Sequence, residues 1–235
     1  MSQYLYTLDD KELAFPPHQF ALNEPNGLIA MGGDLSPERL IQAYSNGIFP
    51  WFNDNDPILW WSPDPRAVIK IADLKVNRSL KKFINKSPYR VTLNQNFNQV
   101  IAQCANAPFR NDDTWILPDM LNAYRLLHQQ GFAHSVEVWH DNELVGGLYG
   151  VAINGFFSGE SMFYTKTNAS KIALVSLINL LKLIEVEFID CQIQNPFLES
   201  MGAVDISRDE FLQLKSNELN RNVNKDFWLN RELTW

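Results

Sequence analysis

Apolar residues along this chain keep two different periods, and the changes from one to the other mark out the elements. Phe97, Val100, Ile101 and Cys104 stand at i, i+3, i+4 and i+7, which predicts a helix. A second helix is predicted over residues 118–130, with Pro118 at its start and Gly131 after its end. Alternating runs predict strands at 135–139, 143–153 and 156–163. They turn at Asp141-Asn142 and at Asn154-Gly155, the second carrying the signal of a type I′ hairpin. A long apolar helix is predicted over 168–184, a strand over 186–193 and an earlier strand over 89–93. Ser207 with Glu210 three positions on forms a capping box that opens a last helix. The first 62 or so residues are loop-rich, around one helix opened by Ser36 and Pro37, striped by Leu40, Ile41 and Tyr44, and closed by Gly47. Pro63 and Pro65 mark the expected boundary between a small N-terminal domain, 1–62, and a larger one, 63–235.

Composition narrows the classes. At 235 residues, 46% hydrophobic and 20% charged, the chain can bury a sizeable core. Its most apolar stretch, 172–189, is broken by Ser176, Asn179, Lys182, Glu185 and Glu187, so no membrane span is expected. The first ten residues lack a basic stretch leading into an apolar one, so no signal peptide is expected. Two cysteines, Cys104 and Cys191, make no disulfide framework and point to a reducing cytoplasm. Neither has a metal-ligand neighbour, and His18, His128, His134 and His140 show no metal spacing, so no metal site is expected.

The net charge of −7 is unevenly spread. Between Arg66 and Arg90 stand Arg66, Lys70, Lys75, Arg78, Lys81, Lys82, Lys86 and Arg90 against a lone Asp73. Helical spacing puts Arg78, Lys81 and Lys82 on one face and Leu80, Phe83 and Ile84 on another. This is either a solvated helix face or a phosphate-binding footprint including Lys75 and Lys86, with the acidic remainder limiting indiscriminate RNA binding.

The run 47–66 packs Trp51, Trp60 and Trp61 among Pro50, Pro57, Pro63 and Pro65. Proline fixes φ and removes a donor, so the run is not expected to form one helix or a central strand. Its indoles either fill core at a domain junction or present an aromatic platform for a base, a ring or a chain terminus.

A strand, two helices, an antiparallel meander, a helix and a strand is the element order of an N-acetyltransferase-like (GNAT-like) α+β domain with a mixed, largely antiparallel sheet. Such domains cradle the coenzyme A pyrophosphate on a glycine-rich turn after the meander. Here that junction reads G-E-S-M-F-Y-T-K-T-N-A-S-K, and its one glycine, Gly159, lies inside the strand. G-G-L-Y-G at 146–150 lies mid-strand and reads as a bulge or close backbone packing. The scaffold is kept and the coenzyme A site is not, which implies a different acyl donor.

The blocks G-G-D-L-S, G-I-F-P-W-F, D-P-I-L-W-W-S-P-D-P-R, S-P-Y-R-V-T, H-S-V-E-V-W, E-L-V-G-G-L-Y-G-V, G-E-S-M-F, N-A-S-K and I-D-C-Q run in order through nearly the whole chain. Together they resemble the bacterial leucyl/phenylalanyl-tRNA–protein transferases. The resemblance implies the same fold and a cytoplasmic, monomeric enzyme without cofactor. Its substrates would be aminoacyl-tRNA carrying Leu or Phe, with Met a third candidate, and proteins that begin with Arg or Lys and are thereby marked for degradation. The reaction is ester aminolysis, which needs a neutral α-amino group, and positioning supplies much of its rate.

For this chemistry Asp190 and Gln192, which alternate with Cys191 on one strand and so share a face, match the family's proposed catalytic pair. Whether they move a proton or only orient the amine stays open, as does a substrate-assisted route. Glu160, among apolar strand neighbours, is assigned to the acceptor's N-terminal end, with an internal salt bridge as the alternative. Asn195 adds a candidate polar contact. Leu148, Phe157, Met162, Leu174, Leu177, Leu181 and Ile189 form the expected aminoacyl pocket, although most apolar stripes are simply core. Trp51 and Trp115 are expected against the terminal adenosine and the aminoacyl group, Trp115 being exposed after the polar N-D-D-T. Two other classes compete: an acyl-CoA N-acyltransferase, and a non-catalytic RNA- or peptide-binding module.

Overall fold

The computed structural model describes residues 4–9, 11–107 and 114–234. Its first part is less loop-rich than expected. Strands β1 (Tyr6–Leu8) and β2 (Leu28–Gly32), helix α1 (Pro37–Ser45), then β3 (Phe49–Pro50) and β4 (Leu59–Trp61) build a four-stranded sheet of order β1-β2-β4-β3. Strands this short show no period. The proline-rich run also contains a central strand after all, since β4 lies between β2 and β3. Its three residues fall between Pro57 and Pro63 and keep their backbone donors. Helix α1 starts as expected, with Ser36 Oγ accepting from Arg39 N at 3.3 Å.

The rest of the chain continues with β5 (Arg66–Lys70), α2 (Arg78–Ile84), β6 (Arg90–Leu93), α3 (Phe97–Ala105), α4 (Pro118–Gln129), β7 (Ala133–His140), β8 (Glu143–Ile153) and β9 (Phe156–Tyr164). Then come α5 (Ala169–Lys182), β10 (Phe188–Gln192), α6 (Pro196–Met201), β11 (Val204–Ile206), α7 (Arg208–Leu219) and β12 (Arg231–Leu233). An eight-stranded sheet of order β11-β5-β10-β9-β8-β7-β6-β12 results. All its neighbours are antiparallel except β9 and β10, which run parallel and pair only at Ser158 and Asp190. A meander, a crossover helix and a parallel strand that splays from its neighbour make the expected α+β, N-acetyltransferase-like arrangement.

Two apolar cores flank this sheet. One gathers α3, α4 and residues such as Tyr149, Phe156 and Phe211, and the other gathers α2, α5 and Leu148, Phe157 and Ile189. The Asn154-Gly155 turn departs from the type I′ expectation, which requires φ > 0 at both central residues. Asn154 has φ 53°, but Gly155 is not in the positive region. A Cβ on Gly155 would stand 2.6 Å from Glu218 Oε2, so this glycine serves close packing on α7. Asp141 and Asn142, with φ 51° and 67°, carry the I′ pattern instead. After residue 62, the elements missed altogether, β5, β11, β12 and α6, have three to six residues each.

Candidate functional site

Where β9 and β10 splay, the sheet opens into a cavity of about 580 Å³. The sequence fixes its apolar half. Strict alternation would part Phe157 and Met162, but the register of β9 shifts opposite Tyr149 and Gly150, leaving Glu160 as the extra residue, so both join Leu148 on the α5 side of the sheet, and Leu174 and Leu177 face them from one stripe of α5. With Ile189 they line the hollow. Leu181 does not line it. One turn further along α5, it is buried in the core at 1% exposure. Trp51 and Trp115 both stand on the cavity wall. Trp51 is 42% exposed, but Trp115 is half-buried against core residues and not the exposed side chain expected. Residues 111–113 of the N-D-D-T segment lie outside the described residues. The tryptophan run thus divides its labour: Trp60 is core, donating to Gly32 O at 2.9 Å, and Trp51 faces the hollow.

The polar half differs from expectation. Gln192 and Glu160 line the cavity, and Asp190 does not. The register shifts between Asp190 and Gln192, and Gln192 has φ 64°, so strict alternation fails there and the two side chains part. Asp190 has no exposed surface. Arg66 Nε and Nη2 each donate to its carboxylate at 2.8 Å, a fork-to-fork pair. Ser158 Oγ donates at 2.8 Å and the Gln192 backbone N at 3.0 Å. With both oxygens engaged and no opening to the hollow, Asp190 is not placed to act as the base.

Arg66 was counted in the basic segment, but it is buried at 1% exposure. Its guanidinium lies over the rings of Phe49 and Phe211, 4.8 and 4.4 Å from their centroids, and donates to Gly47 O at 3.2 Å. Lys215 Nζ donates to Ser45 O nearby, and burial, followed by the charge of Arg66, brings its pKa down to about 8. Nothing local in the sequence links Arg66 to Asp190, 124 positions away.

Glu160 is the carboxylate that faces the cavity among the described residues. Gln192 Nε2 donates to its Oε1 at 2.8 Å and Tyr124 OH to its Oε2 at 2.9 Å, with Tyr44 OH bonded to Tyr124 OH. Burial is the main cause that pushes its pKa up to about 7, against the pull of the two tyrosines. Tyr44 reads in the sequence as part of the apolar stripe of α1, and nothing there singles out Tyr124, so their roles were missed. Asn195 also lines the cavity, but its side-chain oxygen caps α6 through Leu198 N at 2.9 Å.

Lys75, Arg78, Lys81, Lys82 and Lys86 are all exposed, while Leu80 and Ile84 bury the other face of α2. That face packs on the same core as Leu148, Leu174 and Ile189. Lys75 N donates to Met201 O of α6, whose Phe197 and Leu198 line the hollow. The basic helix therefore sits on the cavity's side of the sheet. Lys70 is apart from it, 3.6 Å from Glu210.

Comparison with known proteins returns two family profiles. Residues 68–216 match leucyl/phenylalanyl-tRNA protein transferase, and residues 33–64 match the N-terminal domain of leucyl/phenylalanyl-tRNA protein transferase. A leucyl/phenylalanyl-tRNA–protein transferase of Colwellia psychrerythraea is 63% identical over 239 residues, covering 100% of this chain and 99% of that protein. One of Pseudoalteromonas atlantica is 53% identical over 96% of both chains. Among solved structures, a GCN5-related N-acetyltransferase from Kribbella flavida aligns at 10% identity and a TM-score of 0.39, over 71% of this chain and 60% of that one.

Proposed function

The chain belongs to the leucyl/phenylalanyl-tRNA protein transferase family and is an aminoacyltransferase; from that premise we propose how its cavity works and what it accepts. The donor is tRNA esterified with Leu or Phe, or with Met, which like them is apolar and unbranched at Cβ. The acceptor is a protein beginning with Arg or Lys, and the product is marked for degradation in the cytoplasm. The enzyme acts as a monomer of two units, 1–62 and 63–235, with Arg66 fastening one to the other, and needs no cofactor because the ester is already activated.

The observation that carries this reading is a buried carboxyl, Glu160, held by Gln192 and Tyr124 on the polar side of a cavity whose other side is apolar. The apolar wall takes the aminoacyl side chain and rejects polar ones by desolvation. Trp51 and Trp115 hold the terminal adenosine. Glu160 pairs with the incoming α-ammonium and takes one proton from it. An α-amino group titrates at ~7.7–8.0, close enough to a group near 7 for nearly balanced transfer. The freed nitrogen attacks the ester carbonyl carbon, and the carbon–oxygen bond to the ribose breaks. The second proton passes to the leaving ribose oxygen, and Glu160 releases the first to solvent. Gln192, its Nε2 turned to Glu160, offers Oε1 to an amine N–H. Asp190 positions Gln192 by accepting its backbone N–H.

Radiolabelled Phe-tRNA mixed with a peptide beginning with Arg is expected to label the peptide; no label from folded protein refutes the reading. The basic helix has its own test. Lys81→Ala with Lys82→Ala is expected to raise KM for Phe-tRNA. It should also lower the slope of log KM against log salt by roughly 1.5, about 0.7–0.9 per lost phosphate contact. KM for 3′-phenylalanyl-adenosine, which has no tRNA body, should stay unchanged, and an equal effect on both donors would remove RNA from the role of α2.

A further inference from the structure

Phe157 lines the cavity, and its ring is held from two sides. A Cβ on Gly150 would stand 2.5 and 2.6 Å from Phe157 Cζ and Cε1, so the ring lies against bare backbone there. Trp228, which does not line the cavity, stacks on Phe157 with centroids 5.8 Å apart and planes at 24°. Trp228 is itself clamped. The ring of His134 stacks on it at 4.1 Å and 9°. Asn94 Nδ2 donates to Trp228 O at 2.6 Å and bonds His134 Nδ1 at 2.9 Å, and Asn94 Oδ1 accepts from Ser135 N at 2.9 Å. Burial holds His134 neutral, its pKa down to about 3, so an uncharged ring backs the indole. Just beyond, β12 anchors the segment to β6 from Arg231 to Leu233.

We infer that Trp228 is a positioning residue that, through Phe157, sets the depth of the cavity and hence the largest aminoacyl side chain it admits. With Trp228 in place the Phe157 ring has no room to retreat, so a bicyclic aromatic side chain is excluded by volume. The inference rests on the cavity's being the aminoacyl pocket. One extra methylene is worth ~10–200-fold in discrimination in such a pocket, so a displaced ring has a readable effect.

The experiment compares 3′-aminoacyl-adenosine esters of Leu, Phe and Trp as donors to an Arg-initiated peptide. Trp228→Leu is expected to raise the ratio of kcat/KM for the Trp ester over the Phe ester about tenfold, chiefly through KM of the Trp donor. The conservative Trp228→Phe should raise it about threefold. Phe157→Leu should raise the same ratio, and adding Trp228→Phe to it should give no further rise, because one residue acts through the other. Loss of folded protein lowers both rates and leaves the ratio alone. An unmoved ratio in Trp228→Phe, or additive rises in the double variant, overturns the inference while the pocket stands. Transfer of none of the three groups by the parent protein overturns both.

Discussion

Replacing Arg66 by methionine is expected to destabilise the protein by about 3–5 kcal/mol, because it strands the Asp190 carboxylate without its cation. Asp190 has no exposed surface, and the variant leaves it only the Ser158 hydroxyl and the Gln192 N–H. At ~2–4 °C per kcal/mol for a chain of this size, the melting temperature should fall by roughly 6–20 °C. Adding Asp190→Leu removes the stranded charge and should recover much of the loss, as apolar replacements of buried ion pairs often do. Urea unfolding of the three proteins at pH 7 reads this directly. A single-variant loss below about 1 kcal/mol at pH 7 would mean that the pair does not hold the strand.

That pair also marks the limit of what the sequence discloses. Helices of nine or more residues and the long meander strands were legible, because α3, α4, α5 and β7 to β9 are long enough for their periods to show. The α5 stripe of Leu174 and Leu177 followed from the same periods, and Glu160 stood out as a carboxylate on an apolar strand, but Phe157 and Met162 share the wall only through the register shift beside Glu160. Strands β5, β11 and β12 were not legible: β11 and β12 have three residues each, β5 stands inside the stretch read for its basic charge, and their partners are remote in the chain. Asp190 was placed on the wrong side by strict alternation, because a one-residue irregularity at Gln192 leaves no trace in composition. Its partner Arg66 lay in a basic stretch and was counted with it. Leu181 shows the converse limit: a stripe continues past the point where the cavity ends.

Glu160→Gln is expected to lower kcat/KM for the acceptor peptide by about 10²–10³, since a positioned base contributes ~10²–10⁴. The larger consequence is in the shape of the pH profile. In the parent, activity should rise as Glu160 ionises near 7 and level off as the acceptor amine becomes neutral by itself at ~7.7–8.0. In the variant the amine must arrive already neutral, so the rise should move up to ~8. Stability should move the other way. The folded carboxyl is raised from 4.5 to about 7, so its contribution is present in full below 4.5 and is lost as pH climbs to 7. That shift corresponds to about 3 kcal/mol at 1.36 kcal/mol per pH unit, and Glu160→Gln should erase this part of the slope. The parent should therefore grow less stable over the pH range in which it becomes more active, and the variant should lose this stability trend and keep only the rise set by the amine. Identical pH profiles for parent and variant would take the proton away from Glu160 and leave positioning and the amine's own deprotonation to carry the reaction.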